Sequence, residues 1–253
     1  MNSILKSKKS QKIFSVIFAL LIWQAAAMIF NQKILLASPL EVIERLTNIW
    51  TEEGFFASLW FSFSRIAGGF ILALISGILL AVMAGRFNFI ETLLWPFMVT
   101  IKSIPVASFI IISLVWLTSN ELSSFISFLV VLPIIYTNVL SGIKNTDAKM
   151  AQMADVFKLN WSKRLLYIWM PQIKPFLISA CSVALGFSWK SGIAAEVIGI
   201  PNGSIGEMLY EAKVYFKTVD LFSITIIIVL ISITLEKLFL ALIRLGFRRL
   251  ERI

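Results

Sequence analysis

Apolar residues run along most of the chain in blocks too long and too unbroken for the core of a soluble domain. Six blocks approach the roughly 20 residues that a helix rising about 1.5 Å per residue needs to cross a hydrocarbon layer about 30 Å thick. The first runs from Ile13 to Phe30 without a charge, and the second from Leu59 to Gly85 with Arg65 near its start. The third covers Leu93 to Leu117, interrupted by Lys102 and Pro105, and the fourth, Leu122 to Ile143, is uncharged. The fifth, Pro175 to Ala195, carries Lys190, and the sixth, Val219 to Ile243, carries Glu236 and Lys237. The pattern predicts an all-α membrane protein of six transmembrane helices forming one domain, because no polar stretch is long enough to enclose a separate core.

A polar island at 147–160 lies between the fourth and fifth blocks, in a loop of about 144–172. Within it Met150, Met153, Ala154 and Phe157 recur at i, i+3, i+4 and i+7, which gives a short helix one apolar face. Such a face either fits a partner's groove or covers the ends of the chain's own helices. Asn160 is placed to cap a following helix that carries Trp161 and Leu165 toward Pro171.

Other local signals are sharp. Ser38-Pro39-Leu40-Glu41 joins an N-cap, a first-turn Pro and a capping-box Glu, and predicts an interfacial helix with Ile43, Leu46 and Trp50 on one side. In a second loop of about 196–218, Gly199 to Gly203 has turn chemistry. Ser204 to Glu207 then opens a short helix with Ile205, Leu209 and Ala212 on one side. Gly69, Ala73, Gly77, Ala81 and Gly85 place a small residue at every fourth position of the second span, a seam that lets another helix approach the backbone.

Composition agrees with a membrane protein: 58% of residues are hydrophobic, 15% are charged and the mean hydropathy is +0.88. A net charge of +9 could suggest nucleic-acid binding, but the basic residues lie mainly at span ends on one side, so no nucleic-acid partner is expected. Lys6, Lys8, Lys9 and Lys12 precede the first span, and Arg244, Arg248, Arg249 and Arg252 follow the last. Lys144, Lys149, Lys158, Lys163 and Arg164 lie in the loop of the polar island, whereas Glu41, Glu44, Glu52 and Glu53 outweigh Lys33 and Arg45 after the first span. The basic bias puts both termini (the first tail being 1–12) and the island in the cytoplasm, and the other two loops outside. Ala25-Ala26-Ala27 could mimic a signal cleavage site, but an uncleaved first helix is the reading adopted. With no His and the single Cys181 in an apolar stretch, a Cys/His metal site and an intrachain disulfide are excluded.

The polar island carries a resemblance. Gln152-Met153-Ala154, then Lys158, then Met170-Pro171 resemble the "Glu-Ala-Ala, three residues, Gly, then Leu-Pro" cytoplasmic loop of ABC importer permeases. Ala154 and Pro171 match that pattern, while Gln152, Met153, Lys158 and Met170 depart from it. The Ala-Glu segment 192–199 and the Ser-Ile-Pro at 103–105 resemble the nitrate, sulfonate and taurine permeases, over about residues 38 to 245. The resemblance implies a cytoplasmic coupling helix between the fourth and fifth spans, with ATPase-coupling residues Met150, Gln152, Met153, Ala154, Phe157, Lys158 and Pro171. It further implies a separate ATPase subunit holding ATP and Mg, an extracytoplasmic substrate-binding protein and a second permease subunit, a homodimer being the simplest form. No phosphate-binding loop of the Gly-x-x-x-x-Gly-Lys-Ser/Thr type occurs in this chain, so no cofactor is expected in it.

Two rivals remain from other classes. A membrane-embedded enzyme lacks every histidine-dependent chemistry, and a lone membrane Ser such as Ser188 more commonly bonds a neighbouring helix. An ion-coupled carrier needs mid-membrane titratable groups. Only Lys102, Lys190 and Glu196 qualify, and none pairs with another at helical spacing. Together with Ser103 these three are the candidates to line a path for a small anion. If the third span is continuous, Lys102 lies about 14 Å inside it. If Pro105 breaks it, residues 93–101 lie at the cytoplasmic surface and Lys102 snorkels, which is the reading preferred from sequence.

Overall fold

The structure is a computed structural model that describes residues 8–30 and 34–250; Lys6, Lys33 and Arg252 of the charge pattern lie outside the described residues. Among the described residues there is no strand. The helices are α1 (Lys8–Phe30), α2 (Pro39–Asn48), α3 (Phe55–Arg86), α4 (Asn88–Ser103), α5 (Val106–Ser113), α6 (Ser119–Lys144), α7 (Ala148–Val156), α8 (Trp161–Arg164), α9 (Met170–Gly199), α10 (Ile205–Val214) and α11 (Thr218–Leu250). Four of these, α1, α3, α6 and α11, are long and apolar enough to cross a membrane, and so is the continuous run Tyr167–Gly199 that contains α9.

The third predicted span is broken at Pro105 and ends sooner than its apolar block. It is two helices, α4 and α5, bent by 102° at the break, and α5 stops at Ser113 rather than reaching Leu117. Ile104 is extended (φ −80°, ψ 133°) because the following Pro105 disfavours helical backbone before it and has no N–H to donate.

The core is a stack of α3, α6 and α9. A Cβ on Gly69 would stand 2.2 Å from the Ser124 carbonyl oxygen, one on Gly77 3.0 Å from Ile135, and one on Gly85 2.8 Å from Ile143. Contacts therefore advance together along both chains, so α3 and α6 are parallel. Ala73 and Ala81 are fully buried between these glycines, so the small-residue seam is a contact within one chain. On the other side α9 runs antiparallel to α6: Gly199 abuts Leu122, Gly192 abuts Ser127, and Phe176 abuts Gly142. Two parallel neighbours require the chain to recross between them, and α4 with α5 does so. Glu91 of α4 pairs with Lys144 at the far end of α6 at 2.6 Å, whereas Ile110 of α5 packs with Leu122, Ile126 and Ala195 near its start. The bent pair is thus one crossing, which brings the crossings among the described residues to six.

The end of the bundle carrying α2 and α10 is knit by polar contacts. Ser38 caps α2 as predicted, with the Glu41 carboxylate returning to the Ser38 N–H at 3.2 Å. Pro39 and Val42 of α2 and the following Ile49 are buried, however, while Ile43 and Trp50 face outward. Arg45 sets this roll: it lies on the side of Val42 and Ile49, where it pairs with Asp220 of α11 and, at 2.6 Å, with Glu52. Burial disfavours the Arg45 charge, yet Glu52 and Asp220 more than compensate and hold its pKa above the ordinary arginine value. Ile205 and Ala212 of α10 are buried as predicted. Ser204 accepts from the Glu207 N–H at 2.9 Å, but the Glu207 carboxylate takes the Gly203 N–H at 2.5 Å instead of closing the box on Ser204. Helix α1 stands apart, held where Trp23 donates to the Ala37 carbonyl at 3.0 Å and meets Phe222 in a tilted ring contact, centroids 5.5 Å apart.

The seam predicts a paired result. Gly69→Ala pushes a methyl into the Ser124 carbonyl and should destabilise the detergent-solubilised protein by about 1–3 kcal/mol. Gly68→Ala, where a Cβ meets nothing within 4 Å, should be neutral or slightly stabilising in the same thermal unfolding assay.

Candidate coupling surface and pathway residues

At the opposite end of the bundle, α7 follows α6 after a short polar link. Asp147 starts it by accepting the Lys149 N–H at 2.9 Å, and donates its own N–H to the Gln172 side chain at 2.8 Å. The Gln172 amide reaches Met150 Sδ at 3.4 Å, so the base of α9 grips the first turn of α7. Spacing alone gives no sign of Gln172, although it is the neighbour of Pro171.

The predicted apolar face divides. Ala154 is 1% exposed and points into the fold, whereas Met150, Met153 (60%) and Phe157 (67%) are open, with Val156 beside them. The three large residues therefore do not cover the chain's own helix ends. Gln152 and Lys158 are also exposed. Lys158 occupies the place of the loop's Gly and takes the conformation for which Gly is suited: its φ is +48°. Past it, Leu159 N–H turns back to the Ala154 carbonyl at 3.0 Å, the 6→1 bond of a Schellman stop.

α8 begins directly after Asn160 and leads through a π-turn at Leu165–Trp169 into α9. The wider turn lies where Pro171 lacks an N–H and would otherwise crowd the preceding turn. Pro171 itself is exposed. From α8 into the membrane the path is therefore continuously helical, and α7 joins it through the turn at 157–160.

The pathway candidates do not converge. Lys102 is exposed in the last turn of α4, and its Nζ donates to Thr137 Oγ1 of α6 at 3.1 Å. From the Glu91–Lys144 pair to this contact, 11 residues of α4 span only seven of α6, so α4 runs obliquely. Pro105 does break the span, but residues 93–101 are not a detached surface segment: Met98 among them is buried in the α3–α6–α9 core. Ser103 is exposed and bonds its own helix at Val99. Lys190 is exposed on α9 beside Trp189, which is buried and donates to the Ile228 carbonyl at 3.1 Å. Glu196 is the exception to the exposed set: it is 1% exposed, and its Oε2 accepts from Ser62 at 2.6 Å and from the Gly206 N–H at 3.3 Å. It faces the interior of the fold. Cys181 is fully buried. No group of three potential metal ligands occurs among the described residues.

Backbone strain at Lys158 makes a prediction. Lys158→Gly should stabilise the α7 terminus by about 1 kcal/mol, seen as roughly fivefold slower hydrogen exchange of α7 amides, while Lys158→Ala should give no gain.

With this geometry in place, comparison with known proteins is direct. Residues 73–252 match the family model described as binding-protein-dependent transport system inner membrane component. An aliphatic sulfonates transport permease of Bacillus subtilis is 24% identical over 78% of this chain and 71% of its own length. A nitrate import permease of Synechococcus elongatus is 27% identical over 76% and 72%, and the taurine transport system permease of Escherichia coli 23% identical over 91% and 82%. The chain belongs to the binding-protein-dependent transport system inner membrane component family and is an ABC importer permease of the nitrate, sulfonate and taurine type.

Proposed function

We propose that this chain forms, with a second copy of itself, the membrane path of an ATP-driven importer for a small anion. α7 docks a separate ATPase subunit, and a substrate-binding protein delivers the solute to the α2 and α10 end. The observation that carries this reading is α7: a short helix held at its first turn by Gln172 and seated on its own buried Ala154, with Met150, Met153, Val156 and the following Phe157 exposed. An apolar face that the described residues leave exposed, with basic residues around it at a membrane edge, fits a groove on a soluble partner. The basic bias supports placing α7 and both termini in the cytoplasm. ATP and Mg belong to the ATPase, and this chain is a transport subunit rather than an enzyme.

The anion is supported by two observations. Relatives are named for nitrate, bicarbonate, sulfonates and taurine, solutes that carry a negative charge or a sulfonate group. Lys190 lies nine residues before the end of α9, about 14 Å along the helix, and is exposed. Facing lipid it would cost about 2.5–3.5 kcal/mol, a cost avoided where it faces a hydrated path between two permeases.

Met153→Asp and Phe157→Asp should each bury a charge at the docking contact and lower both ATPase copurification and transport at least about tenfold, with membrane insertion normal. Undiminished copurification in both would leave α7 a bare surface. In transport assays at equal expression, Lys102→Met and Lys190→Met should reduce uptake of the anion without affecting assembly, and the Arg variants should retain more. Unchanged uptake in the double Met variant would make both lysines interface anchors.

A further inference from the structure

We propose that Glu196 is the latch of the external mouth, the carboxylate that holds the start of α10 closed against α3 and α9 and is released when the path opens to that side. This rests on the permease reading.

Four elements meet at this one group. Glu196 of α9 takes the Ser62 hydroxyl of α3 and the Gly206 N–H of α10, and Ser123 of α6 stands beside the same carboxylate. Ser62 Oγ in turn accepts the Ile205 N–H at 3.0 Å. Helices ordinarily satisfy their first N–H groups from a local cap or from water. Here Ser204 serves the third, and the first two are sent across to other helices. Gly206 makes the reach possible, since a Cβ there would lie 2.2 Å from that of Glu196.

The chemistry suits a contact that opens. Parting an apolar seal exposes apolar surface to water, an uncompensated loss. Parting the Glu196 carboxylate from the Ser62 hydroxyl and the Gly206 N–H as water enters exchanges each bond for one with water, so the net cost of these two bonds is small. The hinges are also present. Ile200 (φ +48°) and Gly203 (φ +74°) precede α10, and Phe216 (φ +55°) follows it. Left-handed backbone at a β-branched Ile is strained, and strain of this kind persists only where surrounding contacts enforce it. α10 is thus a helix bracketed by left-handed turns and fastened at its first turn by the Glu196 and Ser62 side chains and by the buried Ile205.

The test uses the assembled importer in membranes, with Cys181→Ser as background and Ala212→Cys as reporter, because Ala212 is buried on α10. An impermeant maleimide is applied from outside with and without ATP and Mg. In the parent, ATP should raise the labelling rate. Glu196→Ala should raise the ATP-free rate about tenfold, as expected for loss of hydrogen bonds to a carboxylate, and abolish the further response to ATP. Glu196→Gln, which keeps an acceptor for Gly206, and Ser62→Ala should fall between. Labelling within about twofold of the parent in Glu196→Ala and Ser62→Ala, with the ATPase still bound, would overturn the latch. If Glu196→Ala does not assemble, Glu196→Gln and Ser62→Ala decide by the same criterion. Failure of the ATPase to copurify with the parent would instead strike the permease reading itself.

Discussion

The close, parallel contact of α3 with α6 is the constraint on which the rest of the molecule depends. Lipid tails are as apolar as the side chains they touch, so two membrane helices gain little from hydrophobic burial and associate through close packing. Gly69, Gly77 and Gly85 let the backbone of α3 approach α6 until no Cβ would fit at Gly69 or Gly85. Parallel neighbours then oblige the chain to recross between them. The recrossing is the oblique α4 and the short α5, joined at Pro105, whose missing N–H makes the 102° corner possible there.

With α6 fixed on one side by α3, its other face receives α9, which links the two ends of the bundle. α9 has 30 residues and is therefore about 45 Å long. At its base, Gln172 and the π-turn connect it to α7; at its tip, Glu196 holds α10. Between them Ala180, Ala184 and Ala195 are fully or almost fully buried. A displacement of α7 thus meets a packed helix rather than a flexible loop, and the same helix ends in the carboxylate that fastens the opposite end. Physical continuity of this kind is what a coupled importer needs.

Much of this was legible in the sequence because it depends on local spacing. Long apolar blocks set the crossings, Ser38 and Glu41 set the start of α2, and the four-residue repeat of small side chains marked the seam. What spacing could not reveal is which neighbour each face meets. Ile43 and Trp50 satisfied the period of α2 as well as Val42 and Ile49 do, and the choice between them follows from Arg45 meeting Asp220, 175 residues away. Ala154 shares a face with Met150 by count but turns inward. Gln172 and Ser62 carry no motif, so the grip on α7 and the environment of Glu196 emerge only in three dimensions. Glu196 stood among the pathway residues because a membrane carboxylate signals function by its cost. Its partners, Ser62 and the Gly206 N–H, lie within the fold.

The central claim is that the open face of α7 is covered by a motor subunit. A photo-crosslinking amino acid at position 157, activated in intact membranes, tests it most directly. The account predicts one dominant protein adduct whose partner carries a phosphate-binding loop. Adducts only with lipid, or only with a second copy of this chain, would contradict it.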